Sequence, residues 1–172
     1  MKSKYILFLL CMLFSLTLCA SNPEDNTYPT QERLFHIARS ANKNPVCYDV
    51  NLKDGKLDVK SPLNIYWVNR EERMGETNGL SYIQRKMAYG YKLVSAGDDS
   101  SEVILTAYPA RKLTICKQDS KYVCLITIDN QPAILESLYV KAKSGNPLSV
   151  EYVELQGITT ATGAKVTERV KK

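Results

Sequence analysis

The side chains best suited to chemistry in this sequence lie between residues 36 and 49. His36 is the only histidine of the chain, Cys47 follows it on the next predicted strand, and Asp49 lies two residues further on. In thiol enzymes an imidazole favours the cysteine thiolate and a carboxylate orients the imidazole. These residue types therefore raise the hypothesis of a thiol-dependent enzyme, provided that the fold brings the three side chains together.

The surrounding elements are predicted to be β-strands. Short runs rich in Val, Ile, Tyr and Thr recur between Gly, Pro, Asn and Asp turn signals, and this pattern is typical of all-β proteins. The predicted strands are LFHIAR (34–39), VCYDVNL (46–52), KLDVK (56–60), LNIYWV (63–68), YKLVSA (91–96), EVILTAY (102–108), KLTICK (112–117), YVCLITI (122–128), ILESLYVKA (134–142), SVEYVELQ (149–156) and KVTERV (165–170).

One segment departs from this pattern. After a polar loop, Leu80, Ile83 and Met87 are spaced as one face of a short helix, and Gly90 is placed to end it. We therefore expect an antiparallel β-sandwich or a partly open β-barrel of about nine to eleven strands, with one short helix that covers an end of the β structure.

Strand alternation predicts how the first hairpin is paired. A two-residue turn at residues 42–43 keeps the apolar faces of both strands on the core side. This turn places His36 opposite Asp49 and Ala38 opposite Cys47. The imidazole and the thiol would then lie one diagonal step apart on the same face of the sheet.

A second turn extends the same row of polar side chains. Residues 54–55 are Asp-Gly, a strong signal for a type I′ hairpin, and pairing around them sets Asp49 against Lys60. His36, Asp49 and Lys60 would then form a row across three strands. Two interpretations follow: a catalytic group built on Cys47, or an ordinary cross-strand charge pairing on a solvated face worth about 0.2–1 kcal/mol.

The N-terminus predicts export from the cytoplasm. Lys2 and Lys4 precede an apolar run and then small residues, as in a secretory signal peptide over residues 1–20. Residues 21–32 would form a flexible leader, and residues 33–172 a single β domain in the periplasm or outside the cell. Lipid anchoring through Cys19 is the alternative. We expect the mature form not to span a membrane.

Composition excludes several function classes. Removal of Lys2 and Lys4 would lower the net charge from +5 to +3, which is too small for a nucleic-acid binder. One histidine and scattered cysteines give no metal-ligand spacing, and no phosphate-binding loop is present. We therefore expect neither a metal nor another cofactor.

Cys47, Cys116 and Cys124 remain after cleavage of residues 1–20. An extracellular compartment favours disulfides, and Cys116 and Cys124 flank a predicted hairpin loop. A three-residue loop would place these two cysteines opposite each other and allow a disulfide. A two-residue loop would send them to opposite faces of the sheet, so both outcomes stay open.

Aromatic and basic residues are densest around the predicted helix. A pocket with aromatic walls and a few cationic donors would suit a small anionic or sugar-like ligand. Alternatively, the aromatic rings fill the core and the basic side chains lie on a solvated helix face. The candidate ligand-binding residues are Trp67, Tyr82, Arg85, Lys86, Tyr89 and Tyr91.

Four segments carry a family resemblance: RSANKNPVCYDVN, IYWVN, IQRKMAYGY and VEYVELQGITTATGAKVTE. They resemble a family of exported bacterial envelope domains of unknown function, marked by RSxNxN, YWV and AYGY. The resemblance covers most of the mature chain and implies an envelope-associated β domain. It implies no catalytic residues.

Together these patterns predict an exported cell-envelope β domain that binds a small ligand or an envelope protein partner without catalysis. The mouth of the β structure beneath residues 69–91 is the expected place for a ligand. The alternative is a thiol-dependent enzyme that uses Cys47, His36 and Asp49. The oligomeric state is left open.

Overall fold

Thirteen β-strands and one short helical segment form residues 33–171, the part of the chain that this computed structural model describes. The strands are β1 (Arg33–Arg39), β2 (Asn42–Val50), β3 (Leu52–Lys53), β4 (Lys56–Leu57), β5 (Leu63–Val68), β6 (Thr77–Gly79), β7 (Tyr91–Ala96), β8 (Ser100–Leu105), β9 (Tyr108–Gln118), β10 (Lys121–Ile128), β11 (Gln131–Lys143), β12 (Asn146–Thr159) and β13 (Lys165–Lys171).

The predicted fold class is confirmed. The sheet curls into a half-barrel, and the fold is all-β with one short helical segment. Each of the eleven predicted runs contains a strand, whereas β6 formed where the sequence predicted a polar loop. The predicted signal peptide, with Cys19, and the predicted leader lie outside the described residues. Within residues 33–171 no helix is long and apolar enough to cross a membrane.

Strand β11 organises the sheet. One edge of β11 pairs with β12, which in turn pairs with β13. Its other edge is shared by two strands, because β10 pairs antiparallel with residues 131–134 and β1 pairs parallel with residues 137–140. The sheet therefore divides into a first branch (β1, β2, β5, β6) and a second branch (β10, β9, β8, β7).

The core fills the space inside this curled sheet. Alternate side chains of both branches point inward and are buried, as the period of two along a strand requires. Phe35 and Tyr48 stack with ring centroids 4.4 Å apart. The Tyr48 hydroxyl donates to the backbone oxygen of Tyr89 at 2.8 Å. Further buried side chains come from the second branch, β11 and β12: Leu105, Leu113, Ile115, Leu135, Leu138 and Leu155.

The predicted register of the first hairpin is wrong by two residues. The turn lies at residues 40–41, and an irregularity in the pairing between Ile37 and Arg39 then shifts the register, so that His36 faces Cys47 and Phe35 faces Tyr48. The reason is tertiary. The backbone N–H of Ser40 donates to the Val140 oxygen at 3.1 Å, and the Ser40 Oγ accepts from the Ala142 N–H at 2.9 Å. These bonds anchor the turn on β11.

The second turn is confirmed, but its strand is shorter than predicted. Asp54 and Gly55 have φ values of 52° and 76°, and Leu52 pairs with Leu57. The chain then leaves the hairpin, because the Asp58 carboxylate accepts from the next backbone N–H groups of residues 60 and 61. The predicted pairing of Asp49 with Lys60 is therefore wrong, and Asp49 faces Asn64 of β5 instead.

The loop between β9 and β10 has two residues, Asp119 and Ser120, since Gln118 pairs with Lys121. In this register Cys124 lies opposite Ile115, and Cys116 lies on the other face of the sheet. The disulfide between Cys116 and Cys124 that the sequence left open is therefore not formed. Burial raises the pKa of both thiols.

The helical segment, residues 82–89, differs from the predicted amphipathic helix. A single α-turn at Tyr82–Gln84 is followed by a π-turn at Arg85–Tyr89. The predicted apolar face is not buried as a whole, since Ile83 and Met87 are 70% and 71% exposed whereas Leu80 is buried. The segment ends at Gly90 as predicted, where the backbone N–H donates to the Arg85 oxygen at 2.9 Å.

We expect Gly90→Ala to destabilise the protein by about 1–3 kcal/mol, the usual cost of overpacking. A Cβ at this position would collide with the backbone oxygen of Arg85, which the π-turn holds in place. Urea unfolding followed by circular dichroism measures the change. The control is Gly79→Ala, because a Cβ at Gly79 would meet no atom within 4 Å. Equal stability losses in the two variants would contradict the steric argument.

An ion pair joins the second branch to the C-terminal strand. Arg111 of β9 donates to both carboxylate oxygens of Glu168 in β13, at 2.6 and 2.5 Å. The backbone N–H of Asp129 also donates to Glu168, at 2.6 Å. The hydrogen bonds from Arg111 lower the pKa of Glu168 from 4.5 to about 2, and the Asp129 N–H contributes to the same shift.

We expect this ion pair to stabilise the fold fully above pH 4.5 and to lose its effect as the pH falls towards 2. The reason is that protonation of Glu168 removes the carboxylate charge that Arg111 binds. Glu168→Gln should lower the free energy of unfolding at pH 7 by about 1–2 kcal/mol. Urea unfolding from pH 7 to pH 2 measures this difference. The control is Glu102→Gln, which changes an exposed carboxylate that pairs with Lys112 and accepts from the Ser95 hydroxyl. A difference between wild type and Glu168→Gln that is independent of pH would contradict the prediction.

Candidate functional site

A cavity of about 520 Å³ opens at the mouth of the half-barrel, between the two branches. Its lining comes from β1, β11 and β12, from the hairpin formed by β8 and β9, and from the π-turn. Most of the lining is apolar. The apolar side chains come from five parts of the fold and include Ile37, Leu105, Pro109, Leu138, Val140 and Val153. We call this space the mouth cavity.

Two polar side chains meet in the wall of the mouth cavity. Arg39 ends strand β1, and its guanidinium donates to the hydroxyl of Tyr89 at 3.1 Å. Tyr89 is buried, and its backbone oxygen accepts the hydroxyl of Tyr48. Burial raises the pKa of Tyr48, so its hydroxyl stays protonated and continues to donate. The hydrogen bond from the core residue Tyr48 therefore fixes the position of Tyr89, and Tyr89 in turn positions the Arg39 guanidinium.

The π-turn supplies the outer lip of the mouth cavity. Met87 and Ala88 line the cavity, although the Met87 side chain is mostly exposed to solvent. π-turns occur often at functional sites, because the extra residue changes the direction in which the following side chains point. Here the turn directs Tyr89 into the cavity and leaves the flexible Met87 at the edge.

A second cavity, of about 300 Å³, lies beside the first. We call it the amide cavity, because amide side chains dominate its lining. Tyr89, in the wall of the mouth cavity, meets Trp67 of the amide cavity edge-on, with ring centroids 4.9 Å apart. The lining residues are Asn42, Asn44, Trp67, Asn69, Arg73, Asn78 and Gln84.

The ligand-binding residues predicted from the sequence are therefore distributed over four places. Tyr89 lines the mouth cavity, and Trp67 lines the amide cavity. Three others lie on the exposed face of the helical segment, where the Lys86 ammonium sits 5.8 Å from the ring centre of Tyr82. Tyr91 is half-buried and packs against the core. The exposed group consists of Tyr82, Arg85 and Lys86.

Sequence reasoning missed the polar residue of the mouth cavity, Arg39. Its position at the end of a strand gives no signal by itself. The parallel pairing of β1 with β11 places Arg39 opposite Val140, and only this long-range contact brings it to the cavity. The amide cavity was missed because its residues come from a hairpin, a loop and the helical segment.

The predicted catalytic residues lie on the outer face of the first branch. His36 and Cys47 are direct cross-strand partners, which is closer than the diagonal arrangement predicted. Asp49 does not join them. Its carboxylate accepts from the Arg33 Nε at 2.5 Å and from the Tyr66 hydroxyl at 2.5 Å. The predicted role of Asp49, to orient His36, is therefore not supported by the geometry.

Arg33, Asp49 and Tyr66 form a closed hydrogen-bonded triangle, because Arg33 also donates to the Tyr66 hydroxyl at 3.1 Å. Burial and then the hydrogen bond to Asp49 raise the pKa of Tyr66 to about 12. Burial opposes the charge of Arg33, but hydrogen bonds to Asp49 and Tyr66 outweigh it and raise the pKa of the guanidinium. These contacts join β1, β2 and β5, so the triangle serves the structure of the first branch.

The surroundings of Cys47 disfavour nucleophilic chemistry. Its side chain is only 1% exposed, between His36 on β1 and Tyr66 on β5. A buried thiol offers no access to a substrate. Among the described residues, no group of three or more His, Cys, Asp or Glu side chains is placed to hold a metal ion.

We expect Cys47 in the native protein to react with iodoacetamide at neutral pH at least about tenfold more slowly than in urea-unfolded protein, because the thiol is buried. Peptide mapping by mass spectrometry measures the rate for each cysteine. The half-exposed Cys116 is the internal control and should react faster than Cys47. If Cys47 reacted faster than a peptide thiol, the thiol-enzyme hypothesis would be supported instead.

Comparison with protein families gives one match. The family model described as a domain of unknown function, DUF4833, matches residues 35–169. No curated protein and no solved structure matches the chain. The match spans both branches, β11 and both cavities.

Proposed function

Because the chain belongs to the DUF4833 family, a domain of unknown function, we propose its function from the geometry of the mouth cavity. We propose that this cavity binds a small amphipathic ligand that has an apolar body and one anionic head group. The observation that carries the proposal is a largely apolar cavity with a single arginine–tyrosine pair in its wall.

The apolar part of the proposal rests on the size and lining of the cavity. About 520 Å³ falls within the range of about 300–1,000 Å³ that is usual for small-molecule sites. Side chains such as Ile37, Leu138 and Val153 offer no hydrogen bonds. A ligand would therefore gain affinity here by removing apolar surface from water, at about 25 cal/mol per Å².

The head group is inferred from the Arg39–Tyr89 pair. Arginine presents several N–H donors in a planar fork that matches a carboxylate. The hydroxyl of Tyr89 accepts a hydrogen bond from one N–H group of Arg39 and so holds the guanidinium in place. Arg39 is half-buried beside apolar residues, so an anion placed here would be less screened than at the open surface. A carboxylate on an alkyl chain fits both parts of the cavity.

Two further aspects of the function remain proposals. Export is supported by the signal-peptide pattern of residues 1–20, so binding would take place in the cell envelope or outside the cell. Of the two non-catalytic alternatives, a small ligand or a protein partner, the enclosed apolar space favours the small ligand.

Decanoate tests the proposal, because it combines an apolar chain with one carboxylate. We expect saturable binding in isothermal titration calorimetry. Val140→Phe should lower the affinity at least about tenfold, since the larger ring occupies cavity space. Val94→Phe is the matched control, because Val94 is exposed on β7 and does not line the mouth cavity. The absence of saturable binding, or equal affinity in both variants, would contradict the proposal.

The head group is tested separately with Arg39→Gln. This change should weaken decanoate binding by about 1.5–3 kcal/mol, as expected for a lost hydrogen bond to a charged group. Binding of decanol, which has no charge, should change little. Equal losses for decanoate and decanol would show that Arg39 supports the cavity structurally and does not bind an anion.

A further inference from the structure

In the amide cavity, backbone N–H groups donate hydrogen bonds to the oxygens of the amide side chains. The Asn42 Oδ1 accepts from the Asn44 N–H at 2.8 Å, and the Asn44 Oδ1 accepts from the Arg70 N–H at 2.8 Å. The Asn69 Oδ1 accepts from the Glu71 N–H at 2.9 Å. The Gln84 Oε1 accepts from the Ser81 N–H at 2.8 Å in the capping box.

These bonds fix the orientation of each amide, because only the oxygen can accept from a backbone N–H. In Asn42, Asn44 and Gln84 the NH₂ group takes no part in these bonds and is oriented as a donor. The cavity therefore presents oriented N–H donors, which are complementary to a ligand rich in acceptor oxygens.

Trp67 gives the cavity a flat apolar wall. It pairs across the sheet with Asn78, and both residues line the cavity. Its Nε1 is buried and has no hydrogen-bond partner among the described residues. An aromatic wall beside polar groups suits a ring that has one apolar face.

The charges at the rim form two exposed ion pairs. Lys43 pairs with Glu71 at 3.2 Å, and Arg73 pairs with Glu76 at 3.2 Å. All four side chains are more than half exposed, so water and salt screen these pairs. Arg73 lines the cavity and can exchange its exposed partner for a ligand carboxylate.

We propose that the amide cavity is a binding site for an acidic saccharide. The carboxylate of the sugar accepts from the amide NH₂ groups and Arg73, and the C–H face of the ring packs on Trp67. A carboxylate has only acceptor atoms, which matches the donor-rich lining better than a neutral sugar does. The site is separate from the mouth cavity and does not depend on its function.

Trp67 is the only tryptophan of the chain, so its fluorescence reports on this cavity directly. Titration with glucuronic acid should give a saturable change. Glucose, acetate and inorganic phosphate should each bind at least about tenfold more weakly, because each lacks either the carboxylate or the ring. The absence of a saturable change with glucuronic acid would overturn the proposal. Equal binding of acetate or phosphate would overturn the role of the sugar ring, and equal binding of glucose would overturn the role of the carboxylate.

Asn44→Asp provides a near-isosteric test. The variant keeps an oxygen that accepts from the Arg70 N–H but replaces the NH₂ donor with an acceptor. We expect at least a tenfold loss of glucuronic acid affinity. Asn130→Asp is the matched control, because it makes the same charge change in the exposed turn after β10. Unchanged affinity in Asn44→Asp would overturn the proposal.

Two further variants keep this test decisive. If Asn44→Asp unfolds at a lower urea concentration than the wild type, Asn42→Asp replaces it, since the Asn42 oxygen accepts from the nearby Asn44 N–H of the same strand. Val140→Phe, which fills the mouth cavity, should leave glucuronic acid binding unchanged. Loss of binding in Val140→Phe would place the sugar in the mouth cavity and overturn the proposal.

Discussion

The architecture depends on the sharing of one edge of β11 by two strands. β10 pairs with residues 131–134 and β1 with residues 137–140, one antiparallel and the other parallel. Two strands that lie end to end on one edge cannot continue as a single flat sheet, so the branches that they begin separate from each other. The core and the mouth cavity occupy the space between these branches.

The sequence predicted the elements better than their pairing. Strand alternation and the Asp54-Gly55 turn are local signals, and both were confirmed. The predicted register of the first hairpin is wrong because Ser40 hydrogen-bonds to residues of β11 that lie about a hundred positions later in the chain. The prediction of an amphipathic helix is also wrong, since residues 85–89 form a π-turn and Ile83 and Met87 are exposed. The spacing of Leu80, Ile83 and Met87 indicates neither feature.

The candidate sites were predictable only in part. Aromatic composition pointed to Trp67 and Tyr89, and the structure places these two residues in contact but in the walls of different cavities. The role of Arg39 required the parallel contact between β1 and β11. The donor character of the amide cavity depends on whether the oxygen or the nitrogen of each amide side chain bonds to the backbone. The residue type alone does not indicate which of the two atoms does so.

The helical segment also has a mechanical consequence. Within residues 33–171 the chain passes from the first branch to the second only once, through residues 80–90, which join the outermost strands β6 and β7. β11 thus joins the two branches where they begin, and residues 80–90 join them at their outer edges. The number of residues in this segment, including the extra residue of the π-turn, therefore limits how far apart the two outer edges can lie.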